Sequence, residues 1–94
     1  MREYEIVMIF EPSLEEEKRK QLMERLQGII VADGKVLEVN EWGMRKLAYL
    51  INDIPEGYYV YTKAEATPAA MKEYDRVAKI LDGIMRHMIV KIED

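Results

Sequence analysis

Residues 35–66 read KVLEVNEWGMRKLAYLINDIPEGYYVYTKAEA, and they decide how the whole chain folds. From Lys35 the period is two: Val36 and Glu38 fall on one phase, Leu37, Val39 and Glu41 on the other. Such alternation lays down a strand, because successive side chains leave opposite faces of the backbone. The strand runs on into WGMRKLAYLI, either unbroken or bent at Gly43, where glycine permits a bulge. Asn52, Asp53, Ile54, Pro55, Glu56 and Gly57 then make a turn tract of the kind that joins antiparallel neighbours. YYVYTKAEA follows as the next strand, rich at its start in aromatic and β-branched side chains.

On the N-terminal side, Arg2 to Phe10 places Tyr4, Ile6, Met8 and Phe10 at period two, which predicts a fairly buried strand. Ser13 stands three residues before Glu16, the spacing of a capping box, so a helix is expected to start there. Leu14, Leu22, Leu26, Ile29 and Ile30 recur at helical spacing, and Gly34 after Asp33 is a stop signal. On the C-terminal side, Thr67 and Pro68 form a cap and first-turn pair. Met71, Tyr74, Val77, Ala78 and Leu81 then keep one helical face until Gly83, and Ile84 to Ile92 alternate as a last strand. The order is strand, helix, strand, strand, helix, strand. It predicts one α+β domain over residues 1–94 with the ferredoxin-like βαββαβ plan: a four-stranded antiparallel sheet with two helices on one face. A binding function should then occupy the opposite face and the outer edges.

The composition narrows the chemistry. Of the 94 residues, 49% are hydrophobic and 34% charged, enough to cover a packed interior and keep the outside wet. With no cysteine, disulfides, thiolate metal sites and cysteine nucleophiles are excluded. The apolar runs are only a few residues long and the opening MREYEIVMIFEP is too acidic for a secretory signal, so a cytoplasmic protein without a membrane segment is expected. Ser13, the only serine, is better explained as a cap than as a nucleophile. His87 has neither cysteine nor a second histidine to share a metal, and a packed or hydrogen-bonded strand histidine is the expectation. The five glycines stand singly, so no phosphate-cradling loop exists. Neither an enzyme nor a cofactor is expected.

Nucleic-acid binding is better supplied, although a net charge of −4 argues against bulk attraction to a polyanion. EGYYVY, Glu56 to Tyr61, partly matches the sheet-surface aromatic pattern of RNA-recognition strands. If Val60, Thr62, Ala64 and Ala66 face the helices, Tyr59, Tyr61, Lys63 and Glu65 face the open side, where two rings need a partner or a ligand. Core filling accounts for most of the seven methionines; Met44, set between Gly43 and Arg45, is the exception.

At EWGMRKLAYLI, followed by Pro55, Gly57 and Tyr58, the sequence becomes specific. Together with MREYEIVMIFEP and the closing IMRHMIVKIED, it resembles the bacterial small-subunit ribosomal protein six family across essentially all its residues. The family's terminal Met-Arg-x-Tyr falls on Met1, Arg2, Glu3 and Tyr4, and its central motif on Trp42 to Ile51. Two positions depart: Met44 stands where members commonly carry a second basic residue, and Leu50 where proline is common. The resemblance implies a structural role on the cytoplasmic ribosome, binding the central domain of small-subunit rRNA alongside ribosomal protein eighteen.

A chain of net negative charge should grip phosphates through a few aimed cations. Arg2, Arg45 and Lys46 are the first candidates for rRNA contact, with Arg86 and Lys91 second. Trp42, Met44, Tyr59 and Tyr61 are the candidates for partner contact, and Trp42 has burial as its alternative. A ferredoxin-like small-molecule regulatory domain is the competing reading, and an acyl-phosphate hydrolase the weakest.

Overall fold

The computed structural model describes residues 2–51 and 54–92, with the backbone alone described over 48–51. Met1 of the terminal motif, and Asn52 and Asp53 of the turn tract, lie outside the described residues, as do the side chains of Ala48, Tyr49, Leu50 and Ile51. The elements run β1 (Arg2–Phe10), α1 (Glu16–Val31), β2 (Gly34–Ile51), β3 (Ile54–Ala66), α2 (Pro68–Ile80) and β4 (Ile84–Lys91). The strands form one sheet in the order β2-β3-β1-β4, every neighbouring pair antiparallel. This is the predicted ferredoxin-like plan, with β1 and β3 central and β2 and β4 at the edges.

The core follows from the periods. Tyr4, Ile6, Met8 and Phe10 of β1 and Val60, Ala64 and Ala66 of β3 are buried against Leu22, Leu26 and Ile30 of α1 and Ala70, Met71, Tyr74, Val77 and Ala78 of α2. One cluster contains both helices and one phase of both central strands, so both helices lie on the same face. Thr67 caps α2 as predicted: its hydroxyl accepts from the Ala70 amide at 3.2 Å and donates to Asp33 Oδ2 at 2.6 Å, tying the end of α1 to the start of α2.

Three local expectations need correction. Ser13 does not cap α1. The Leu14 amide bonds to the Glu11 carbonyl at 3.1 Å, closing a turn over Pro12 and Ser13, and α1 begins only at Glu16, behind Glu15. Proline suits the second position of such a turn, and that local geometry wins over the capping box. Gly34 opens β2 rather than terminating a helix in left-handed backbone: a Cβ there would collide with the Glu65 carbonyl oxygen. The tract Ile54–Gly57 belongs to β3, where Ile54 pairs with Ile51, Glu56 with Lys46 and Gly57 with Arg45. In β4, Ile89 packs on the core opposite Ile6 while Met88 and Val90 lie exposed, and a register shift beside Ile9 brings Ile84 opposite Phe10 onto the core as well.

Candidate nucleic-acid interface

The face of the sheet away from the helices is laid out in rows across β2, β3, β1 and β4. From one end these are Lys35–Glu65–Glu3, then Glu38–Lys63–Glu5–Val90, then Asn40–Tyr61–Val7–Met88, then Gly43–Tyr59–Ile9–Arg86, with Arg45 opposite Gly57 beyond. Four carboxylates and two lysines occupy the first two rows, apolar groups the middle, and two arginines the far end. The face is polarised from acidic to basic, although the chain as a whole is acidic.

Trp42 lies over β3. Its ring stacks on Tyr61 with centroids 5.6 Å apart and planes 9° from parallel, and on Tyr59 at 6.4 Å and 21°. The Arg45 guanidinium carbon sits 5.7 Å from the centre of the Trp42 ring, within cation–π reach. The Tyr61 hydroxyl donates to Glu5 Oε2 at 2.6 Å, and this bond, with help from desolvation, pushes the phenol up to about 12. Trp42 is nevertheless 43% exposed, and Met88 and Val90 beside the cluster are 45% and 55% exposed. An aromatic and aliphatic patch of this kind is costly to leave in water.

The predicted cations do not form a single site. Arg45 and Arg86 share the open face and one end of the sheet, on opposite edges, three strand spacings across and one row along, about 16 Å apart. Arg2, opposite Ala66, and Lys91, opposite Tyr4, lie at the other end and on the phase of the helix-covered face. Lys46, opposite Glu56, alternates with Arg45 and so takes the helix side. All five are exposed. Of the four partner candidates, Trp42, Tyr59 and Tyr61 come together, so Trp42 is not a core residue. Met44 is opposite Tyr58 on the other side, where the Arg19 guanidinium of α1 lies 3.6 Å over the Tyr58 ring. Glu5, Val7, Met88 and Val90 belong to the open face although sequence reasoning did not single them out for it. The phase of β1 was a usable signal for the first two; the register of β4 was not readable.

Other chemistry is sparse. His87 Nε2 lies 2.7 Å from Asp75 Oδ1, joining β4 to α2, while Lys79 holds the other Asp75 oxygen at 2.9 Å. Those two bonds keep the Asp75 carboxyl below its ordinary range. Among the described residues no group of three metal-ligating side chains forms, and no helix is long and apolar enough to cross a membrane. A cleft between α1 and β2, with Arg19, Met23, Val39 and Glu41 on its walls, holds about 190 Å³, short of the roughly 300 Å³ at which small-molecule sites begin. A second hollow of about 530 Å³ lies along α2 alone, with no other element to close it.

Comparison with known proteins agrees with this architecture. The family model described as Ribosomal protein S6 matches residues 3–91. Small ribosomal subunit protein bS6 of Alkaliphilus oremlandii (strain OhILAs) is 50% identical over 93 residues, covering 99% of both chains. That of Desulforudis audaxviator (strain MP104C) is 49% identical over 92 residues, 97% of this chain and 98% of the other. The crystal structure of 30S ribosomal protein S6 from Thermotoga maritima superimposes with a TM-score of 0.89 at 31% identity, covering 97% of this chain and 87% of that one. On these matches, and on a fold with the same four strands and two helices, the chain belongs to the ribosomal protein S6 family, structural proteins of the small ribosomal subunit in the cytoplasm and not a class of enzymes.

Proposed function

We propose that this protein binds the central domain of small-subunit rRNA jointly with ribosomal protein eighteen, as a structural element without catalytic activity. The observation that carries the reading is the polarised open face: an exposed Trp42–Tyr59–Tyr61 cluster that needs covering, with Arg45 and Arg86 beyond it. The stacked rings and the neighbouring Met88 and Val90 suit an apolar partner surface, and the four carboxylates of the first two rows suit a basic one. Arg45 and Arg86 at the far end would hold phosphates. Arg2 and Lys91 at the opposite end, and Lys46 and Met44 on the helix side, would serve as contacts outside that face.

A net charge of −4 gives the chain no long-range attraction to RNA, so affinity should depend on the companion protein. The test is titration of a labelled central-domain RNA with this chain, with and without ribosomal protein eighteen, over a range of salt. Binding that needs both proteins and weakens as salt rises supports the reading. Tight, salt-insensitive binding by this chain alone overturns it.

A further inference from the structure

Counting along β2 shows what its bulge accomplishes. Val39, Asn40 and Glu41 face Thr62, Tyr61 and Val60, whereas Gly43, Met44 and Arg45 face Tyr59, Tyr58 and Gly57. Between Glu41 and Gly43, β2 therefore carries one residue more than β3. Were the same residues paired with no bulge, Trp42 would stand opposite Tyr59, Met44 opposite Gly57 and Arg45 opposite Glu56. Met44 would then share the open face with Trp42, and Arg45 would turn to the helix side, because a slip of one position inverts every later side chain. In the structure the reverse holds: Met44 is opposite Tyr58, on the helix side and 47% exposed, and Arg45 lies against Trp42. Gly43 adopts φ +84°, and nothing lies within 4 Å of where its Cβ would be. The requirement for glycine is thus one of backbone conformation, not of space.

We infer that Gly43 is a positioning residue for RNA recognition: its bulge exchanges Met44 for Arg45 as the neighbour of Trp42 on the open face. The inference rests on the reading of Arg45 as an rRNA contact. A methionine at that corner offers phosphate nothing, while a guanidinium offers two parallel donors. The exchange places a cation on the binding face without changing the composition of the strand.

Two variants separate facing from the mere presence of glycine. In Gly43→Val the β-branched residue resists left-handed backbone, so the strand regularises and Met44 turns to the open side. Deletion of Gly43 removes the bulge yet leaves Met44 opposite Tyr58 and Arg45 opposite Gly57, preserving the facing. With methyl-labelled methionine, NMR contacts of the Met44 methyl should run to Tyr58 in the parent protein and in the deletion, and to Trp42 in Gly43→Val. Binding to central-domain RNA in the presence of ribosomal protein eighteen should fall about tenfold in both Arg45→Ala and Gly43→Val, each lowering the slope of log affinity against log salt by about 1. The deletion should stay within about twofold of the parent. Parent-like binding by Gly43→Val, or a deletion as weak as Gly43→Val, overturns the inference. An Arg45→Ala variant with unchanged binding overturns the RNA reading of Arg45 instead, while the methyl contacts still report whether the bulge sets the facing. If Gly43→Val does not fold, the deletion decides alone: retained binding and Met44–Tyr58 contacts uphold the inference, and their loss ends it.

Discussion

On the helix-covered side of the sheet, Ile6, Met8, Phe10 and Val60 are sealed beneath α1 and α2; on the other side, the same two central strands present Val7, Tyr59 and Tyr61 next to an exposed Trp42. The covered side is closed within one chain over the central strands, and only at the β2 edge do Val39 and Met44 stay exposed. The open side has rings stacked on rings, a carboxylate bonded to a phenol and cations at one end, and its apolar middle still meets water. Strand pairing holds the two sides in one register, so the difference lies in what each still lacks. The first carries stability, the second the capacity to assemble.

That division can be broken by experiment. The largest effect should come from Leu26→Ala, at a position with no exposure: a loss of about 3 kcal/mol or more in urea unfolding, from lost transfer energy and the cavity left behind, with rRNA affinity of the folded fraction unchanged. Trp42→Ala should do the opposite. Its ring is partly in water already, so unfolding free energy should fall by no more than about 1 kcal/mol, while affinity for ribosomal protein eighteen, read by calorimetry, should drop roughly 30-fold if the ring is a central anchor. Comparable loss of stability in both variants would erase the division between the faces. Within the helix layer, Thr67→Ala should cost about 1 kcal/mol as a lost cap, and Ser13→Ala should stay within about 0.5 kcal/mol because its hydroxyl caps nothing.

The smallest effect sharpens the open side. The Tyr61 phenol is raised from its ordinary value to about 12 by its bond to Glu5 and by desolvation. Its contribution to stability is therefore fully present below about pH 10, the unfolded value, and is lost as pH rises toward about 12. Tyr61→Phe lacks this contribution from the start, so the stability gap between parent and variant should close over that interval, as measured by denaturant unfolding at each pH. A gap constant with pH would mean the hydroxyl bond contributes nothing.

How much of this was legible before the structure depends on the range of the forces involved. The buried phase of β1, the Thr67–Pro68 start of α2 and the outward phase of Tyr59 and Tyr61 are consequences of local periodicity and capping, and they were readable. The start of α1 was misread because two local signals compete, the Ser13 capping box and the Pro12 turn, and only the turn has its hydrogen bond. The bulge at Gly43 was anticipated, but its effect on Met44, Arg45 and Lys46 was not, since facing after a bulge depends on counting against β3. The Tyr61–Glu5 bond joins residues 56 positions apart and exists only through the β1–β3 register. The separation of Arg2 and Lys91 from Arg45 and Arg86 is likewise a fact of strand order, which no short window contains.

Strand β2 holds 18 residues, and a straight strand of that length would reach roughly 56 Å at about 3.3 Å per step. The longest dimension of the molecule is 37 Å. The strand must therefore curl, and its three slips against β3, after Val36, Glu41 and Lys46, are where such curvature is built. The hairpin is a bowed arm whose reach is governed by miscounted residues: removing one unpaired position would straighten it and move its tip outward, changing the molecule's outline without touching its core.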